Sequence, residues 1–261
     1  MLNEFLVLYM GVMGASSDKK CLQLNLRTRV ETFKGSGIWD EVAVQKDFSV
    51  AETAILLCDV WDNHWCSGAA QRVDEMVPKM NSVVGAARKN GVQIIHSPSD
   101  TLDFYADSPH RQKIANFPII DPPEPLELSD PPLPIDDSDG GCDTGDERQH
   151  AAWSRQHAGI EITGNDVISD KGREVYSYIH QNGIKNLIIM GVHTNMCVLG
   201  RSFGIRQMTK WGIRCVLVRD LTDAMYNPKR APYVSHKEGT ELVIEHIEKY
   251  WCPSILSSDL V

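Results

Sequence analysis

The chain has 261 residues, 42% hydrophobic and 23% charged, and a formal net charge of −9 from 26 Lys+Arg and 35 Asp+Glu. These proportions exclude a disordered, collagen-like or coiled-coil chain, and the acidic balance lacks the basic face that nucleic acid requires. The acidity is local: residues 121–147 hold ten Asp/Glu and no Lys or Arg, so the remaining residues sum to about +1 (−9 minus −10).

Residues 1–20 read as a tail. The apolar run Phe5-Leu6-Val7-Leu8-Tyr9-Met10 resembles a secretory-signal core, but its flank carries Glu4 and no Lys or Arg, where a signal has basic residues. No stretch reaches the ~18 apolar residues of a membrane span. The seven cysteines (21, 58, 66, 142, 197, 215 and 252) form no CxxC pair and no metal-finger spacing, which predicts reduced thiols rather than a disulfide framework. A cytoplasmic location is expected.

Residues 21–30 place Leu22, Leu24, Leu26, Thr28 and Val30 on one face and Gln23, Asn25, Arg27 and Arg29 on the other, the period of a half-buried strand. With the turn Lys34-Gly35-Ser36-Gly37 and the following Trp39, Val42 and Val44, 21–48 reads as an appended β-hairpin. The rest, 49–261, reads as one α/β domain. Residues 54–58 are a continuous apolar run, as in a strand covered on both faces. Residues 69–90 form an amphipathic helix closed by Asn90-Gly91, with Pro78 inside it. Residues 92–96 are the next strand, and 97–150, with seven of the 13 prolines in 118–134, is a long loop or lid. Strands at 160–168, 186–190 and 213–218 alternate with helices at 172–182, 198–211 and 236–250. The pattern predicts a three-layer, mostly parallel sheet of about six strands with helices on both faces. After the last helix, Ile247, Tyr250, Trp251, Ile255 and Leu256 form an apolar tail that either folds back or buries against a neighbour.

Ligands of parallel sheets sit at the carboxyl ends of the strands. Asp59 follows the strand 54–58 directly. Cys197 lies seven residues beyond 186–190, at a helix start, where thiol pKa falls and free N–H groups gather. These two positions make them the catalytic candidates.

Residues Ile188-Ile189-Met190-Gly191-Val192-His193-Thr194-Asn195-Met196-Cys197-Val198 resemble the nucleophile motif of the isochorismatase-like cysteine hydrolase superfamily, and Leu56-Leu57-Cys58-Asp59-Val60-Trp61-Asp62-Asn63 is similar to its first-strand aspartate motif. The resemblance spans about 54–250. It implies an Asp, Lys, Cys triad, a cis peptide before His193, and an oxyanion hole from the His193 and Cys197 N–H groups. It also implies a homo-oligomer acting on a small-molecule amide, carbamoyl or related C–N bond, without a cofactor. The family lysine falls at Lys171, although Asp170 equally occupies that position. Arg155 is the next available cation, so the third charge stays open among Lys171, Arg155 or neither. The Asp-x-His metal pattern of nicotinamidases is missing from 96–103, so no metal is expected. Trp61, Asn63, Phe104 and Tyr105 are expected to line the substrate site, beside an acidic lid. A catalytically silent protein of the same fold is the competing expectation.

Overall fold

The computed structural model describes residues 20–149 and 152–261; the signal-like run Phe5–Met10 lies outside them. Eight strands form one sheet in the order β2-β1-β8-β7-β6-β3-β4-β5. The centre is built from β3 (Thr53–Cys58), β4 (Gln93–Ser97), β6 (Asn186–Val192) and β7 (Arg214–Asp223). Leu56 of β3 stands opposite Ile95 on one side and Ile189 on the other, both in parallel register.

The apolar run of β3 splits by parity. Ala54, Leu56 and Cys58 face one core layer with Leu187, Ile189 and Leu217. Ile55 and Leu57 face the other with Ile188, Met190, Val216 and Val218. The first layer is covered by α3 (Gly172–Gln181), α4 (Ile205–Lys210) and α5 (His236–Tyr250), the second by α1 (Ser67–Asn90). Each of these buried side chains contributes roughly 1.5–3 kcal/mol of transfer free energy, so a strand apolar on both faces is a central one. The helix α1 is continuous through Pro78 and ends in a left-handed Gly91. A capping box of Ser235 and Glu238 starts α5. The short α2 (Pro109–Ala115) lies against the two-residue β5 (Val167–Ile168).

Four sequence expectations are corrected. The hairpin of β1 (Cys21–Glu31) and β2 (Trp39–Ser49) is no appendage, because Arg27 of β1 pairs with Ser254 of β8 (Ser254–Ile255) and carries the hairpin into the main sheet. Eight strands therefore stand where about six were expected. Of the two alternatives for the apolar tail, the chain takes the fold back on its own core for Ile247, Trp251 and Ile255, which are buried, while Tyr250 and Leu256 stay exposed. The strand expected over 160–168 shrinks to β5, because a turn at Thr163 accepts the Asp166 N–H and Gly164 takes a left-handed φ of 59°. The helix expected over 198–211 starts instead as one wide π-type turn, Thr194–Val198, and α4 begins only after Gly204.

Gly191 sits where β6 passes β3, with φ +115°, and a Cβ there would stand 2.1 Å from the Cys58 carbonyl oxygen. Gly191→Ala is expected to cost at least about 3 kcal/mol, read as a drop in the denaturation midpoint. An unchanged midpoint would show that β3 and β6 separate more easily than their pairing suggests.

Candidate active site

The chain leaves β3 at Asp59, whose φ of 48° is left-handed, a conformation an aspartate tolerates better than most residues. That turn aims the carboxylate along the sheet rim. Its Oδ1 accepts from the Ser99 N–H at 2.7 Å and its Oδ2 from Arg201 Nε at 3.0 Å. The Cys197 thiol lies beside the same carboxylate and favours its charged form. Asp59 is fully buried, and burial raises its pKa against the opposing pull of Arg201 and these hydrogen bonds. Burial and the Asp59 charge likewise push the Cys197 thiol well above its ordinary value. The thiol is therefore held neutral, while Arg201 favours the carboxylate form of its partner.

Cys197 stands in the wide turn after β6, behind a cis Val192–His193 peptide. The His193 carbonyl accepts from the Met196 and Val198 N–H groups at 3.0 and 3.1 Å. The His193 backbone beside the Cys197 sulfur favours its thiolate. The Arg201 N–H donates to the Cys197 carbonyl, a one-turn spacing that sets both side chains on one side of the turn.

Lys171 is not brought to this pair. Its side chain is 60% exposed and its Nζ lies 3.7 Å from Glu174. Asp170 accepts from the Asp100 N–H, and Arg155 lies 3.9 Å from Asp62 and over the Phe104 ring. The cation at Asp59 is Arg201, which the sequence reading missed. Its signal was available: four residues after a cysteine at a helical start, it faces whatever the cysteine faces. Arg201 also reaches Asp100 through Nη2 at 3.4 Å.

Asp59, Trp61, Asn63, His64, Val192 and His193 surround a cavity of about 10 Å³, room for about one water. Trp61 has a second duty, with its Nε1 donating to the Ser99 carbonyl and its ring stacked 4.0 Å from Trp153. Phe104 and Tyr105 are elsewhere: Phe104 is exposed beneath Arg155, and the buried Tyr105 hydroxyl accepts from the Gln156 N–H. His64 also lines this cavity, edge-on to His193 with ring centroids 4.8 Å apart. Burial lowers the pKa of His64 to about 4 and that of His193 to about 3, so both are neutral imidazoles at neutral pH. His96, in the segment compared with the metal pattern, has its ring nitrogens engaged by Gln156 and Asp166 at 3.0 Å each.

The cysteines require a further correction. Cys66, two residues after His64, forms a disulfide with Cys142 of the lid, and its N–H donates to His64 Nδ1 at 3.1 Å. Spacing rules search nearby positions, whereas these two are 76 residues apart and meet only through the fold. Several carboxylates of the acidic lid are engaged. Asp143 pairs with Arg72, Asp136 with Arg230, Asp137 accepts from Asn195 and Asp139 from Asn227.

No protein-family model matches the chain, and no curated protein does. Solved structures do match. A cysteine hydrolase from Pseudomonas syringae pv. phaseolicola 1448A aligns with a TM-score of 0.53 at 14% identity, over 81% of this chain and 91% of that one. An isochorismatase from Pseudomonas putida KT2440 aligns with a TM-score of 0.50 at 15% identity, over 81% and 91%. At such identities the likeness is one of fold, and the fold is isochorismatase-like.

Proposed function

We propose that the protein is a cysteine-dependent hydrolase that opens an amide, carbamoyl or related C–N bond of a small molecule. The observation that carries this is the thiol–carboxylate pair of Cys197 and Asp59, backed by Arg201, at the carboxyl ends of β6 and β3. Sγ attacks the substrate carbonyl as Asp59 takes the thiol proton, so the sulfur need not exist as a free thiolate beforehand. The N–H groups of His193 and Cys197 hold the oxyanion. Asp59 passes its proton to the departing amine, leaving a thioester. Water then attacks, giving one proton to Asp59, and collapse returns that proton to the sulfur as the acid leaves. Arg201 keeps Asp59 ionised for the first step and, as an arginine, holds charge without donating its proton. The neutral imidazoles of His64 and His193 suit an uncharged substrate. The fold's likeness to a cysteine hydrolase supports the same reading.

The competing reading, a catalytically silent protein of this fold, is favoured by the raised thiol pKa. Two measurements separate them: hydrolysis of a panel of neutral amides and ureides, and Cys197 alkylation by iodoacetamide from pH 5 to 9, followed by mass. The enzyme reading expects turnover that falls by at least about 10³-fold in Cys197→Ala, and alkylation that persists below pH 8. Turnover undiminished in Cys197→Ala would contradict it, as would alkylation below pH 8 that is unchanged in Asp59→Asn.

A further inference from the structure

The outer edge of β2 carries a self-complementary pattern, and we infer that it pairs with the β2 edge of a second copy of this chain. Among the described residues β2 has one strand neighbour, β1, with Leu26 opposite Val44, Thr28 opposite Val42 and Leu24 opposite Lys46. The Thr32 N–H donates to the Ile38 carbonyl and the Val50 N–H to the Lys20 carbonyl. These even-numbered pairs flank the ladder, so even residues of β2 bond to β1. By antiparallel alternation, the N–H and C=O groups of Trp39, Glu41, Ala43, Gln45 and Asp47 point outward. An unpaired edge eleven residues long invites another strand unless charges block it.

The charges here select one arrangement. Two β2 strands related by a two-fold axis through Ala43 set Lys46 against the partner's Asp40 and Val44 against the partner's Val42, each twice. The opposite face then pairs Gln45 with the partner's Glu41. Centring on Val44 instead sets Glu41 against the partner's Asp47 twice, a like-charge opposition that strand pairs disfavour. Neither Lys46 nor Asp40 faces an opposite charge on β1, since their partners there are Leu24 and Val30. The pairing also covers Val44, which is 51% exposed, and gives its exposed valine stripe a matching neighbour. The result is a dimer whose two sheets run on continuously.

The test is sedimentation velocity of the full chain at micromolar concentration. Wild type is expected at twice 29.2 kDa. Asp40→Lys and Lys46→Asp, each placing like charges opposite one another, are expected to give monomers with unchanged circular dichroism. The double variant is expected to dimerise again. Ala43→Pro, which removes an outward N–H and leaves the β1 ladder intact, is expected to be monomeric. A wild-type monomer overturns the inference, as does a dimer unmoved by all three single substitutions. A double variant that stays monomeric while both single swaps dissociate overturns the register.

Discussion

Asp59→Asn is expected to lower kcat/KM for a hydrolysed amide by about 10²–10⁴-fold, the span associated with a positioned proton carrier. The amide is nearly the same size and keeps a carbonyl oxygen for the Ser99 N–H, which donates at 2.7 Å, but it accepts no proton from the thiol. Arg201→Met attacks the same step indirectly. Arg201 lowers the Asp59 pKa against burial, so its removal raises that pKa further. Only the ionised carboxylate takes the thiol proton, so activity falls as pH drops through the Asp59 titration. The acid limb of the pH–rate profile should therefore move to higher pH in Arg201→Met and partly return in Arg201→Lys. A profile that stays in place with full activity would remove Arg201 from the machinery.

A large stability effect is also expected at the Cys66–Cys142 disulfide. It closes a loop of 76 residues, and losing a cross-link of that span costs about 2–4 kcal/mol, with the chain-entropy treatment giving the upper end. Cys142→Ser should lower Tm by roughly 5–15 °C, at about 2–4 °C per kcal/mol for a chain of this size. Wild type in excess reductant should behave alike, as should the double variant with Cys66→Ser, because either change opens the same bond. Calorimetry with and without reductant decides this. A Tm indifferent to reductant, with both thiols free by mass, would mean that the ion pairs of Arg72 with Asp143 and Asp223 hold the lid unaided.

The elements legible in the sequence are those whose signal is local. The two-faced apolar run of β3 and the helical periods of α1 and α5 name their own conformation, and Asp59 and Cys197 follow from standing just beyond strand ends. What stayed hidden depends on distant neighbours. The two residues of β8 carry no period, and only the hairpin and β7 on either side make them a strand. Arg201 falls inside the expected helix 198–211 with no pattern to mark it, whereas the wide turn at Thr194–Val198 sets it against a carboxylate 142 positions earlier. Lys171 occupied the expected place in sequence, but Arg111 and Ser169 already bind Glu174, and Lys171 adds its charge there instead.

The joint between β1 and β8 has a consequence for the order in which the chain is made. Arg27 and Ser254, the residues that meet there, lie 227 positions apart (254 minus 27). A nascent chain synthesised through β7 has a finished hairpin and most of the parallel sheet, with no strand yet to join them. Until β8 emerges, the inner edge of β1 stays open and the apolar faces of Leu22, Leu24 and Phe48 lack the Ile255 and Leu260 that share their core layer. Closure of the sheet thus waits for β8, which is made after the other seven strands. The same interval is when an open strand edge is most exposed to mispairing and to chaperone capture.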